Sequence, residues 1–354
     1  MADTSHHKRR IRRAWQGRIS GCQLGKPVEL LSMRGGFNQL TEYLDKTVEG
    51  PIRDYIPFKP GYKLVNEAWC AEHFSRSEPD DDINYTTLSL IMLEAYGEQL
   101  TTKDVAQTWL HYLPLAKTYT AERAAYRTLL EQMDEWFPER GDEALDITLC
   151  SANPYNDWIG AQIRADMYGW VLPGEPLRAA NLAAADARLS HRGDGVFGAM
   201  FVAALGAALA ENLAADALEM ALNVLPSDSA TYEAVQFGAA LVGHEEASEK
   251  IRERYSDLSP VHTLNNLAIV VWALFSNLDD YSAAIGEAVG AGLDTDCNGA
   301  TVGALWGLQD KEIPSHWLHP WQERVGLDLA GHSELSLSEL VDRTFAVLES
   351  FATN

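Results

Sequence analysis

Apolar residues recur three and four positions apart along most of the chain, as in 121–136 (AERAAYRTLLEQMDEW), 195–212 (GVFGAMFVAALGAALAEN), 230–244 (ATYEAVQFGAALVGH) and 263–278 (TLNNLAIVVWALFSNL). That spacing gathers apolar side chains on one face of an α-helix, and the two-residue alternation of a half-buried strand is absent. Residues 199–210 and 264–275 are apolar on most faces, which predicts helices at the centre of a bundle. The many alanines favour the helical state and let helices approach closely. Proline and glycine interrupt the pattern at 48–61, 149–158 and 171–176. None of these breaks has the length or low complexity of a linker, and no internal repeat is visible. The pattern predicts an all-α protein built as one compact helical bundle over residues 1–354.

Composition narrows the partners more than the fold. With 354 residues, 46% of them hydrophobic, the chain can bury a large core. A formal net charge of -23 argues against a surface that tracks phosphates, so no nucleic-acid partner is expected. The one basic run, HHKRRIRR at 6–13, reads as a solvated helix end. The cysteines, Cys22, Cys70, Cys150 and Cys297, are far apart and form no CxxC pair, so they read as cytosolic thiols rather than zinc ligands or disulfides. No window supplies the roughly eighteen uninterrupted apolar residues of a spanning helix, and the expectation is a cytoplasmic protein without a membrane partner.

Two stretches concentrate carboxylates where helices begin. Asp80, Asp81 and Asp82 precede an apolar helical segment, and Asp294 and Asp296 lie one residue apart in GLDTDCNGATVGALWG. A single Asp suffices to cap a helix. Three in a row repel one another, and no Lys or Arg follows Ser77 until Lys103 or lies between Asp279 and Lys311. Either cluster alone would be read as capping; two in one helical chain point to a shared cation. Carboxylates without neighbouring His or Cys pairs suit a hard cation, Mg²⁺, Mn²⁺ or Ca²⁺. An EF-hand loop starting at Asp294 fails because its twelfth position, which needs a bidentate Glu, is Leu305. What remains is a pair of acidic helix starts facing each other across a bundle.

At this point five stretches, in order, resemble the ADP-ribosylglycohydrolase family. GLDTDCNGATVGALWG is similar to the family's C-terminal signature, in which Gly-Gly-Asp-Thr-Asp-Thr precedes a small-residue helix. GRISGCQLGKPVE resembles the N-terminal helix, with Gly21 and Gly25 spaced Gly-x-x-x-Gly and the acidic residue at Glu29. PDDDINYT resembles the Asp-Asp-Thr metal motif. GAQIRADMYGWVLPG, from Gly160, resembles the Met-Arg substrate loop, and LSHRGDGVFGAMFVAAL the Thr-His helix, with His191 in the His position. The resemblance implies an all-α fold of the compact orthogonal bundle type. It also implies two Mg²⁺ ions, with Mn²⁺ as a substitute, and cleavage of a glycosidic bond to ribose. The substrate class would be an ADP-ribosyl or simpler ribosyl compound, or an ADP-ribosylated protein. Carried over residue by residue, Asp80, Asp81, Asp82, Asp294 and Asp296 would hold metal. Glu29, Asp81 and Asp296 would act in catalysis, and Gly160, Arg164 and His191 would bind substrate.

The chain also departs from that pattern. Cys297 replaces the threonine after the second Asp and is a poor ligand for magnesium. The threonine before the acidic pair corresponds to Pro79 or, one residue on, to Asp80. Ile159 stands where the substrate loop usually begins with Asn. These differences leave open a branch with another substrate, and, as an alternative, a non-catalytic binding or structural member of the fold. His262 beside Asn265 and Asn266 reads as a helix cap. The aromatics Tyr155, Trp158, Tyr168 and Trp170 flank the substrate loop, where a base would stack, although such spacing is commoner in cores.

Overall fold

A computed structural model of the chain describes residues 4–132 and 146–352. Its helices are α1 (Thr4–Gly25), α2 (Phe37–Thr47), α3 (Asp81–Tyr96), α4 (Thr102–Tyr112), α5 (Thr120–Glu131), α6 (Asp166–Trp170), α7 (Pro176–Ala187), α8 (Asp194–Leu209), α9 (Ala214–Leu222), α10 (Ala230–Ala240), α11 (Ala247–Arg254), α12 (Thr263–Ser276), α13 (Tyr281–Gly290), α14 (Thr295–Gly307) and α15 (Leu337–Ala352). The four segments with helical spacing lie in α5, α8, α10 and α12, and residues 133–136 of the first fall outside the described residues. The segments apolar on most faces form α8 and α12, whose residues are almost all buried. Among the described residues no helix is long and apolar enough to cross a membrane.

One small element escaped the periodicity. Strand β1 (Arg324–Leu329) pairs antiparallel with β2 (His332–Ser336). Val325, Leu327 and Leu329 point into the core from β1, whereas β2 is half exposed, so one strand alternates and the other shows little pattern. The hairpin turns at Gly331, whose φ of 80° favours glycine.

The centre of the molecule is the contact between α1 and α14. A Cβ on Gly21 would lie 1.9 Å from the Gly299 carbonyl oxygen, and one on Gly17 would lie 1.9 Å from that of Gly303. The reverse holds for Gly299 and Gly303, which meet the backbone of Gly21 and Gly17 at 2.4 and 2.1 Å. Glycines four residues apart thus form a flat stripe on each helix, and the two backbones touch. On its other side α1 buries Trp15, whose indole N–H donates to Thr344 Oγ1 of α15 at 3.0 Å. The basic run opening α1 is solvated, with Lys8 and Arg9 exposed, and is also tied to acidic groups from elsewhere in the chain. Arg9 and Arg13 pair with Asp310, Arg10 with Glu211, Arg12 with Glu323 and Lys8 with Asp342. Acidic partners this distant in sequence cannot be read from local charge.

Candidate active site

The glycine contact fixes where the functional groups meet. At the end of α1 the chain makes one turn, Lys26–Val28, which delivers Glu29. The first turn of α14 lies against that point, because Thr295 Oγ1 donates to the Gly25 carbonyl at 2.9 Å. Before α14, Gly292 and Leu293 both take positive φ, 81° and 61°. This conformation is unfavourable for leucine, and it is held by Ser32 Oγ donating to the Leu293 carbonyl at 2.8 Å. From α12, Asn266 Oδ1 accepts the Asp294 N–H at 3.2 Å and the Asn298 amide at 2.8 Å. His262 caps α12, its Nδ1 accepting the Leu264 N–H at 3.2 Å.

A cleft of about 700 Å³ opens over these elements. Glu29, Asp80, Asp81, Asp294, Asp296 and Cys297 line it, so the two acidic stretches and Glu29 converge. One carboxylate oxygen each from Glu29, Asp294 and Asp296 lies within 4.8 Å of the others. The two stretches differ in their helix-end roles. Asp80 caps α3, accepting the Asp82 N–H at 3.0 Å, whereas Asp294 occupies the N-cap position of α14 and makes no capping bond. Its buried Oδ1 has no hydrogen-bond partner among the described residues.

Burial and crowding make ionisation of this cluster costly. Burial, then the charges of Asp296 and Asp294, raises Glu29 well above the usual carboxylate range. Burial and the Asp296 charge do the same to Asp294, and burial with Asp80 does so to Asp81. Asp296 is pushed up to about 6 by burial and then by Asp80. Asp80 is the exception. Burial would raise it, but the Lys26 ammonium, 2.5 Å away, holds it below its ordinary value.

Three residues expected in the site stand behind it, outside the cleft lining. Asp82 is fully buried and its Oδ1 accepts from Arg18 Nη2 at 3.1 Å, while Arg18 Nη1 reaches Asp166 at 2.8 Å. Arg164 is buried beside the stacked rings of Tyr85 and Trp109, its guanidinium carbon 5.9 and 5.1 Å from their centres. It donates to Glu122 at 2.7 Å, to Asp186 at 2.8 Å and to the Gly160 carbonyl at 3.0 Å. Glu122 and Gly160 do line the cleft, so Arg164 braces its wall rather than presenting its own charge there. His191 is also fully buried, its Nδ1 2.8 Å from Ser190 Oγ. Burial, then the Arg164 charge, holds it neutral by lowering it well below the usual range.

Several lining residues carried no sequence signal of their own. Trp69, Tyr119, Lys117 and Asn84 come from loops and helix ends and Asp328 from strand β1, dispersed through the chain. Lys26 stands inside the quoted N-terminal motif, yet its role appears only when Asp80 is placed beside it. Of the aromatics near the substrate loop, Trp158 lines the cleft, while Tyr168 and Trp170 are core. Ile159 lines the cleft too and is nearly buried.

The carboxylate set fits a hard divalent cation. Clustered oxygen ligands with raised protonation ranges, one of them an orphaned buried oxygen, are what such an ion would stabilise. A family model described as ADP-ribosylglycohydrolase matches residues 3–350. A solved structure titled "ADP-ribosylglycohydrolase-related protein complex" is similar at 19% identity, with a TM-score of 0.55 and coverage of 98% of this chain and 99% of that chain. Among curated proteins, none matches.

Proposed function

The chain belongs to the ADP-ribosylglycohydrolase family, and from that premise we propose that it is a Mg²⁺-dependent hydrolase of a glycosidic bond to ribose in an ADP-ribosyl or simpler ribosyl compound. Family membership supports a glycohydrolase of ribosyl compounds. The observation that carries the metal dependence is the meeting of Glu29, Asp294 and Asp296 at the cleft floor, with Asp294 Oδ1 unpartnered. These three, with Asp81, would hold the ion. When bound, it supplies positive charge that orients vicinal ribose hydroxyls and neutralises the crowded carboxylates.

The chain's own groups perform the remaining work. Glu29 accepts a proton from the attacking water as its oxygen bonds to the anomeric carbon. The bond from that carbon to the acceptor atom breaks, and the acceptor leaves with the proton that Glu29 took from the water. Asp81 and Asp296 hold the ribose side of the site and stabilise the positive charge that develops on the ring. The volume suits a small molecule. Trp69, Tyr119 and Trp158 offer flat apolar surface to a base, and the exposed Arg34 stands on the wall for a phosphate. Arg164 and His191 contribute by fixing that wall.

The test is release of free ribose or ADP-ribose from ribosyl compounds with Mg²⁺ and with chelator. Release that depends on the metal supports the reading. Binding without turnover would favour the non-catalytic alternative.

Stability should change with pH in a direction set by the raised carboxylates. The folded protein binds Asp296's proton up to about 6, whereas an unfolded Asp releases it near about 3.9. The stabilisation is full below that lower value and is lost as pH rises through about 6. Glu29, Asp81 and Asp294 are shifted in the same direction. The metal-free melting temperature should therefore be lower at about pH 7.5 than at about pH 5, and Mg²⁺ should raise it at the higher pH with little effect at the lower. Differential scanning fluorimetry at both pH values checks this; an Mg²⁺ effect equal at both would contradict carboxylate ligation.

Substrate choice is proposed to depend on Ile159. Its side chain lines the cleft while its N–H is bonded to the Val261 carbonyl at 2.9 Å, so replacement leaves the backbone bond in place. Ile159 offers no hydrogen bond to a polar group of the ligand, a deficit worth about 1 to 3 kcal/mol. Ile159→Asn should strengthen ADP-ribose binding relative to a simple riboside by roughly tenfold or more, measured calorimetrically. Equal loss for both ligands would make Ile159 a packing residue.

A further inference from the structure

The Lys26 ammonium is already a cation inside the acidic cluster. Its side chain is nearly buried, its nitrogen is 2.5 Å from Asp80 Oδ2 and it lies 4.8 Å from the centre of the Trp69 ring. It is therefore held between a carboxylate and an aromatic face, a fixed position for a long side chain. The other oxygen of Asp80 accepts the Asp82 N–H at 3.0 Å, so both are engaged within the protein. Asp82 turns its Oδ1 to Arg18, keeps a buried Oδ2 without a hydrogen-bond partner among the described residues, and does not line the cleft. The other acidic groupings that include Asp80 or Asp82 contain Cys22 or Cys297, and a thiol is a poor partner for a hard ion. The oxygen-only grouping is Glu29, Asp294 and Asp296, which does not include Lys26's partner Asp80.

We propose that this chain binds one divalent ion, at Glu29, Asp294, Asp296 and Asp81, and that the Lys26 ammonium takes the place of a second ion at Asp80. The proposal rests on the metal-dependent reading above and departs from the two ions implied by the sequence resemblance. A point charge on a tethered side chain can neutralise Asp80, but it offers no open coordination position. On this account the site has one exchangeable cation and one covalently built in.

The experiment counts Mn²⁺ bound to the full-length protein by electron paramagnetic resonance, with calorimetric titration of Mn²⁺ as a second measure. A single Mn²⁺ per chain is expected for the natural sequence. Lys26→Met and Lys26→Gln, each checked for folding by circular dichroism, should gain a second Mn²⁺. Two ions bound to the natural sequence overturn this proposal alone. None bound overturns it together with the metal-dependent reading. A folded Lys26 variant that still binds only one ion overturns the role given to the ammonium. Should neither variant fold, the count on the natural sequence decides.

Discussion

Gly21→Ala adds one carbon and should destabilise the protein by about 3 kcal/mol or more. In a helix the same change ordinarily stabilises by up to about 1 kcal/mol, because alanine has the higher helix propensity. The sign reverses here because the new Cβ would lie 1.9 Å from the Gly299 carbonyl oxygen, a rigid backbone atom. Relief requires α1 and α14 to move apart, and that movement also separates Glu29 from Asp294 and Asp296. Against a usual total of about 5 to 15 kcal/mol, such a loss is large. Gly290→Ala is the matched control, since the nearest atom to its Cβ is the flexible Ile52 Cδ1 at 3.6 Å. Urea unfolding should show a lower midpoint for the first variant and an unchanged or higher one for the second. Equal midpoints would mean that the helices do not pack by backbone contact.

Asp294→Ala is expected to abolish the Mg²⁺-dependent rise in melting temperature and to lower metal affinity by at least about a hundredfold. The metal-free protein should lose little or no stability. Asp294 makes no capping bond and its Oδ1 has no hydrogen-bond partner among the described residues, so alanine removes no cap from α14. It removes instead a buried carboxylate held above its usual range by burial and by Asp296, and with it part of the like-charge repulsion. Thermal shift with and without Mg²⁺, alongside circular dichroism, separates the two effects. A preserved Mg²⁺ response would remove Asp294 from the site, and collapse without metal would show a structural role.

The helices were legible because their spacing is local: α8 and α12 announce their central position by being apolar on most faces. The acidic starts of α3 and α14 were legible as an excess over what capping needs, and Asp294 has that excess in full. Asp80, which does cap, and Asp82, which pairs with Arg18, show why a run of like residues cannot be divided into roles from the chain alone. The motif positions of Arg164 and His191 carried no information on depth, and both are buried behind residues that line the cleft. Lys26 is the clearest omission. Its spacing from Asp80 means nothing until the end of α1 is folded against the start of α3.

The α1–α14 contact also sets an order of events for the growing chain. Gly25 and its hydrogen-bond partner Thr295 are 270 residues apart. At synthesis rates of about 5 to 20 residues per second, α1 waits roughly 15 to 50 s for the surface it fits. During that interval its free stripe is glycine backbone, a face with little apolar area to attract a wrong partner. The carboxylates of the two acidic stretches remain apart over the same interval, so their mutual repulsion arises only when α14 docks. Closure of the molecule and assembly of its most charged region are thus one late step. A divalent ion present at that moment would act on the rate of maturation as well as on the finished protein.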